Sequence, residues 1–140
     1  MGLLAKGRLW GGPPESVSAT APRAFLRPFG MAHLWRRLAG LSGASSVGLA
    51  AYGAHGIKFD DPALKVTWDN GVRLHMVHSA MLALCPLLPR PGLSGTLFLS
   101  GITVFSGSCY AAVLTNDRRN GRFAPFGGTA LIFGWLSLCL

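Results

Sequence analysis

The sequence predicts an all-α integral membrane protein, a bundle of four helices with packing stripes of small residues. Two observations support this fold class. Of the 140 residues, 50% are apolar and only 13% are charged, which is unusually apolar for a soluble domain of this length. The charges are also unevenly placed, because four long runs contain no Asp, Glu, Lys or Arg: residues 38–57, 74–89, 91–116 and 123–140.

These runs predict a transmembrane domain at residues 31–140, with four spans at about residues 38–56, 71–89, 93–114 and 123–140. About 20 residues of helix cross a bilayer core of roughly 30 Å. The second run is short, so we expect its helix to begin near Gly71, with the Arg73 side chain reaching the headgroups. Helices are the expected spanning form because lipid offers the backbone no hydrogen-bond partners.

Residues 1–30 form an N-terminal extension that is basic and poor in acids. Its cations are Lys6, Arg8, Arg23 and Arg27, and its single acid is Glu15. This composition is typical of a mitochondrial transit peptide. The Gly11-Gly12-Pro13-Pro14 segment would interrupt an amphipathic helix, so a disordered extension is the alternative. A multi-pass protein of the mitochondrial inner membrane is therefore one interpretation, with the compartment left open.

Small and polar residues recur at spacings of three or four along the apolar runs, which places them on one face of each helix. Small side chains let helices approach closely in lipid, where burial of apolar surface gives no driving force. We therefore expect these stripes to face the interior of the bundle. The residues predicted to serve helix packing are Gly40, Ala44, Gly48, Gly107, Gly127, Gly128 and Gly134.

Four alternating spans bring a set of polar side chains to one end of the bundle. The candidate polar cluster consists of His55, His75, His78, Ser79 and Tyr110. The three histidines could together hold a metal, since neutral imidazole suits zinc, copper or iron. They could also relay protons, because ionisable groups within spans are often functional. The favoured interpretation is a structural hydrogen-bond network between helices.

Other classes of function find little support. The net charge of +8 would suggest nucleic acid in a soluble protein, but the cations lie in the N-terminal region and in loops, without interleaved aromatic residues. We therefore expect no nucleic-acid partner. The chain contains neither a Gly-x-Ser-x-Gly elbow nor a His-Glu-x-x-His motif, so we predict no catalytic residues and no cofactor. The expected partners are the lipid bilayer, other membrane proteins or further copies of the chain.

Several short motifs, in order, carry a resemblance to a known family. They are Leu41-Ser42-Gly43-Ala44, Tyr52-Gly53-Ala54-His55-Gly56, His75-x-x-His78-Ser79, Phe105-x-Gly107-Ser108-x-Tyr110, Ala124-Pro125-x-Gly127-Gly128-Thr129 and Gly134-Trp135. Residues 31–140 thereby resemble the transmembrane protein 256 family and its bacterial relatives, small multi-pass membrane proteins grouped under a domain of unknown function. The resemblance implies membrane residence and no established activity. The N-terminal extension and the basic residues of the last loop, Arg118, Arg119 and Arg122, depart from the family pattern.

Taken together, the residues favour a non-enzymatic accessory or assembly component of a larger membrane complex. The alternative is a metal-binding or proton-relay membrane protein that uses His55, His75 and His78. Trp68 has the residue type of an interfacial anchor, and we expect it near the headgroups.

Overall fold

The computed structural model describes residues 29–140, which fold into four α-helices. The helices are α1 (Phe29–His55), α2 (Pro62–Leu84), α3 (Pro91–Leu114) and α4 (Ala124–Leu136). Short 3₁₀ turns occupy Cys85–Leu87, Arg118–Phe123 and Ser137–Cys139. The described residues contain no strand, and the predicted all-α class is confirmed. The predicted N-terminal extension lies outside the described residues, except for its last two positions, which belong to α1.

Helix α2 begins earlier than its predicted span. Asp61 caps the helix by accepting a hydrogen bond from the Ala63 N–H at 2.8 Å, and Pro62 occupies the first turn. Proline suits this position because its missing N–H would have no partner within the helix. The added turns carry the ion pair of Lys65 with Asp69. A prediction based on uncharged runs excluded these charged turns and so placed the start near Gly71.

Helix α3 ends in a left-handed residue. Asn116 has a φ of 51°. Among the residues that the structure describes, no other non-glycine residue has a positive φ. The Asn116 N–H donates to Val113 O at 3.1 Å and the Asp117 N–H donates to Ala112 O at 3.0 Å. This is the Schellman arrangement, which satisfies carbonyls at a helix end and turns the chain away. It directs the chain into the 3₁₀ turn before α4.

The four helices differ in their fitness to cross a membrane. Among the described helices, α3 alone is both long enough and apolar enough by composition to span a bilayer. Helix α4 is 13 residues long, which at 1.5 Å per residue is about 20 Å and shorter than the hydrocarbon core. The 3₁₀ turn at Ser137–Cys139 extends it toward the C-terminal residue.

Consecutive helices are packed neighbours, and α3 is the central element. It contacts α2 and α4 along much of their lengths, and it reaches α1 where the Trp35 ring covers Gly95. The main core lies among all four helices and contains Trp35, Ala39, Leu82, Cys85, Phe98, Ile102 and Leu131. A second core, nearer the α1–α2 loop, contains Leu64, Trp68 and Val113. Trp68 is only 1% exposed, so its predicted role as an interfacial anchor is wrong.

Gly127 and Gly134 of α4 are buried against α3. A Cβ atom on Gly127 would collide with the backbone of Phe105 in α3, and one on Gly134 would lie 2.7 Å from the Phe98 ring. The missing side chains thus allow α3 and α4 to approach closely. Gly128 meets the same Phe105 ring at an ordinary 3.7 Å.

The stripe on α1 faces outward, which corrects the predicted inward orientation. Gly40, Ala44 and Gly48 are exposed, and a Cβ atom on either glycine would meet nothing within 4 Å. The buried residues of α1 lie on the opposite face, where Trp35 and Ala39 enter the core. The reason is that α1 packs against the other helices with larger side chains such as Trp35. The regular spacing of small residues shows that they share a face of the helix, but it does not show whether other helices cover that face.

Helix α3 shows the same reversal. Gly107 is exposed, and a Cβ atom there would also meet open space, whereas the buried face carries Phe98, Gly101 and Ile102. The prediction that Gly107 serves helix packing within the bundle is therefore corrected as well.

Candidate functional site

Four side chains from three helices form a continuous hydrogen-bond network around His75. Its Nε2 atom lies 3.1 Å from Ser42 Oγ of α1, and its Nδ1 atom lies 3.1 Å from the Tyr110 hydroxyl of α3. Ser42 Oγ lies 2.6 Å from Ser79 Oγ, which donates to the carbonyl of His75 at 2.7 Å. His75 is 8% exposed and Ser79 is 4% exposed. The network therefore joins α1, α2 and α3 beneath the surface of the bundle.

The partners assign the direction of every proton in this network. A carbonyl only accepts, so the single hydroxyl proton of Ser79 is used on the His75 carbonyl. Ser42 must then donate to Ser79, and its oxygen accepts from the Nε2–H of His75. A neutral ring with its proton on Nε2 accepts the Tyr110 O–H at Nδ1, and neutrality is expected where a buried charge would have no counterion. One tautomer of His75 thus satisfies all four groups.

His78 lies one turn further along α2 and forms a separate contact. Its Nδ1 atom lies 2.7 Å from Leu74 O, and its Nε2 atom receives the indole N–H of Trp135 from α4 at 3.1 Å. The carbonyl only accepts and the indole only donates, so the ring is neutral with its proton on Nδ1. Its ring also contacts Phe98, with centroids 5.8 Å apart. His78 therefore ties α2 to α4 through both of its nitrogens.

His55 lies apart from the other two histidines. It is exposed at the end of α1, and the ring nitrogens of His75 and His78 bind other partners. Among residues 29–140, no three His, Cys, Asp or Glu side chains come close enough to hold a metal ion. The structure thus unites His75, Ser79 and Tyr110 from the predicted cluster, places His78 beside it and leaves His55 outside.

Two partners of the buried histidines were not among the predicted site residues. Ser42 lies in the middle of α1 and Trp135 near the end of α4. Both occur in the motifs that carry the family resemblance, and that is the sequence signal that could have found them. Neither position is at the bundle end where polar groups were expected, because His75 and His78 lie in the second half of α2.

An aromatic chain extends from the network toward the α1–α2 loop. Tyr110 contacts Trp68 with ring centroids 4.9 Å apart, and Trp68 contacts Tyr52 at 6.1 Å. The indole N–H of Trp68 donates to Leu49 O of α1 at 3.2 Å. These contacts place the end of α1, the start of α2 and the end of α3 together, as antiparallel threading predicts.

The loops at this end of the bundle are joined by an ion pair. Arg118, before α4, donates to the Asp61 carboxylate, before α2. The hydrogen bond from Arg118 and that from the Ala63 N–H lower the pKa of Asp61 below its ordinary value. Both side chains are substantially exposed, so solvent screens the interaction.

A groove between α1 and α3 lies beside the His75 network. Its volume is about 630 Å³, and its lining includes Ser42, His75 and Tyr110 together with leucines of both helices. A second groove, of about 440 Å³, runs between α1 and α2 on the side of Gly40 and Ala80.

The fold and its surface define a class of protein, a small all-α protein of the membrane. Large apolar side chains such as Leu41, Leu87 and Phe126 are more than 70% exposed, as expected for a surface that meets lipid. The family described as Protein of unknown function (DUF423) matches residues 49–128. The chain belongs to this family, whose curated relatives are named UPF0382 membrane proteins.

The relatives come from bacteria and yeast. A UPF0382 membrane protein of Bacillus subtilis is 36% identical over 110 residues, covering 72% of this chain and 89% of the relative. One of Schizosaccharomyces pombe is 31% identical over 115 residues, covering 75% and 97%, and one of Haemophilus influenzae is 35% identical over 114 residues, covering 77% and 92%. No solved structure matches the chain. Membrane residence and the resemblance to a small family of unknown function are confirmed.

Proposed function

We propose that this chain is a non-enzymatic accessory or assembly component of a larger membrane complex. The observation that carries this proposal is the use of the buried histidines. All four ring nitrogens of His75 and His78 are bound to groups within the same chain. A side chain that ligates a metal or attacks a substrate needs a free lone pair. The two histidines instead fasten α2 to α1, α3 and α4.

The network also gives little support to proton transport. Its hydrogen bonds lead from Tyr110 through His75, Ser42 and Ser79, and they end on the carbonyl of His75 itself. A relay needs a path that continues toward each side of the membrane. This chain of donors closes on the residue through which it passes, which favours a role in holding helices together.

The exposed face of α1 supplies the surface for a partner. Gly40, Ala44 and Gly48 are spaced four residues apart and lie opposite the buried face. In lipid, small residues at this spacing let a second helix approach the backbone closely. The structure does not use this stripe within the bundle. We infer that a transmembrane helix of another membrane protein packs there.

The proposed partner surface on α1 is tested by comparing two glycine-to-leucine substitutions at exposed positions. Gly48→Leu fills the α1 stripe, and Gly107→Leu fills an exposed position on α3, both where a Cβ atom meets open space. The tagged full-length chain is crosslinked in cells at native abundance and its partners are identified by mass spectrometry. We expect a reproducible membrane-protein partner that Gly48→Leu removes and Gly107→Leu retains.

Two results would overturn the proposal. Recovery of the chain alone would exclude an accessory role, and recovery of only further copies of the chain would replace it with a homo-oligomer. Organelle fractionation of the same cells tests the compartment. On the basic, acid-poor composition of residues 1–30 we propose the mitochondrial inner membrane.

A further inference from the structure

We propose that the groove between α1 and α3 binds an amphiphile with a hydroxyl head group and an apolar body. The groove has a volume of about 630 Å³, within the roughly 300–1,000 Å³ of small-molecule sites. Leu38 and Leu41 line it from α1, and Leu99 and Ile102 line it from α3. These side chains suit the apolar body of a molecule that enters from lipid.

The hydroxyl groups that line the groove determine which head group a ligand can have. Each of them already donates its proton to an acceptor within the protein. Ser45 donates to Ser42 O at 2.8 Å, and Thr103 donates to Leu99 O at 2.8 Å. Tyr110 donates to His75, as assigned above. The Ser45 and Thr103 oxygens each keep a lone pair and have no second proton to give, whereas the Tyr110 oxygen is also paired with the Ser106 hydroxyl. The groove therefore offers hydrogen-bond acceptors without matching donors, and its ligand must supply the donor.

A neutral hydroxyl is the donor that fits a groove within lipid. An ammonium group would bring an uncompensated charge, since the side chains that line the groove include no carboxylate. A partner helix has its backbone N–H groups bonded internally, so it could reach these oxygens only with a donor side chain. Acyl chains have no donor and would leave the lone pairs unpaired. A hydroxyl on an apolar body satisfies both parts of the lining.

Gly107 keeps the groove open beside these acceptors. It lines the groove, it is exposed, and a Cβ atom on it would meet nothing within 4 Å. A side chain at this position would begin in open groove space, and a leucine there should reduce the groove volume. The groove lies to one side of the α1 stripe of Gly40, Ala44 and Gly48, so amphiphile binding and partner binding can succeed or fail independently.

The experiment uses a matched pair of probes. The full-length chain in phosphatidylcholine vesicles is exposed to a long-chain primary alcohol carrying a diazirine, and separately to its methyl ether, which cannot donate. After photolysis, labelled peptides are mapped by mass spectrometry. We expect the alcohol to label the groove segments around Leu41 and Leu99, and to exceed the ether about three- to tenfold, as expected for one or more hydrogen bonds.

The variants separate head-group recognition from simple partition into lipid. Ser45→Ala combined with Thr103→Val removes two acceptors outside the His75 network, and should reduce alcohol labelling to the level of the ether. Gly107→Leu should abolish groove labelling by both probes, while Gly48→Leu should leave it unchanged. Equal labelling by alcohol and ether would overturn the proposal, and so would groove labelling that persists in Gly107→Leu.

Discussion

Tyr110 supplies the proton that His75 Nδ1 accepts, so the pair can be tested by removing one oxygen. Tyr110→Phe leaves the nitrogen of a buried ring without its donor. We expect a loss of about 1 kcal/mol in the free energy of unfolding, the usual magnitude for an interhelical hydrogen bond in a membrane protein. The measurement is reversible unfolding of the purified chain in detergent.

The control for this substitution is Tyr52→Phe. The Tyr52 ring also contacts Trp68, but its hydroxyl makes no hydrogen bond to the residues that the structure describes. The same chemical change there should leave stability nearly unaltered. If both variants lose equal stability, the hydrogen bond to His75 is not what stabilises the bundle.

Asp61 gives a pH dependence whose sign is set by its lowered pKa. A carboxyl group with a pKa below its unfolded value of about 3.9 stabilises the fold above that value and loses its contribution as the pH falls through the folded pKa. Asp61→Asn should therefore destabilise the chain at pH 7, and the difference from wild type should vanish in acid. Thermal unfolding across this range measures it.

Asp60→Asn is the matched control for the ion pair. Asp60 is the neighbouring acid, and it takes part in no ion pair with the residues described. Its substitution should change stability little at any pH. An equal loss in both variants, or a difference for Asp61→Asn that persists in acid, would contradict the role assigned to Arg118.

At this scale the sequence predicted residue types better than their contacts. His75, Ser79 and Tyr110 were expected together, and the structure joins them by hydrogen bonds, because antiparallel threading brings α2 beside α3. His55 was expected in the polar cluster but lies outside it. The antiparallel order of the helices determines which helix ends are neighbours, but not the direction in which a side chain points. The tautomers of His75 and His78 depend on the partners Ser42 and Trp135, which no spacing in the sequence reveals.

The contact between α3 and α4 depends on one glycine. Gly127→Ala would drive a methyl group into the backbone of Phe105, which cannot move aside as a side chain could. We expect a loss of about 1–3 kcal/mol in the free energy of unfolding, as for other overpacked sites. Unfolding in detergent measures this loss.

Gly128→Ala is the control, because a Cβ atom there meets the Phe105 ring at an ordinary contact distance. Both substitutions change a helical glycine to alanine, so they alter helix propensity equally. The difference between their unfolding free energies therefore measures the collision of the Gly127→Ala methyl group with the Phe105 backbone. We expect Gly128→Ala to remain within about 0.5 kcal/mol of wild type. Similar stabilities for both alanine variants would show that α3 and α4 can separate without cost.

The helices themselves were predictable where charge and turn signals agree. The predicted span at residues 93–114 matches α3 closely, because Pro91 and the polar loop bound it on both sides. The stripe of small residues faces inward on α4 and outward on α1 and α3. Small residues mark a face that accepts close packing, and only tertiary contacts decide whether that face is covered within the chain or left for a partner.

The whole molecule makes a prediction about topology. The pair of Asp61 with Arg118 places the α1–α2 and α3–α4 loops at the same end of the bundle. If all four helices cross the bilayer, single cysteines at Asp60 and Arg119 should react with an impermeant reagent from one side. Cysteines at Arg37 and Arg90 should react from the other side. The assay starts from a chain in which the three native cysteines are replaced by alanine.

The position of Arg37 distinguishes four spans from one. A protein anchored by α3 alone would still separate Arg90 from Arg119, but it would leave Arg37 and Asp60 on the same side. Labelling of Arg37→Cys and Asp60→Cys from the same side would therefore contradict the proposed four-span topology.

The unequal lengths of the helices have a consequence for how the chain enters a membrane. Helix α3 meets the length and hydropathy of a span by itself, whereas α4 is only 13 residues long. We therefore expect α3 to enter the bilayer first, with α4 following as the second arm of a helical hairpin that packs against α3 at Gly127 and Gly134. On this expectation, the glycines that allow α3 and α4 to pack closely also help to retain the shortest helix in the bilayer.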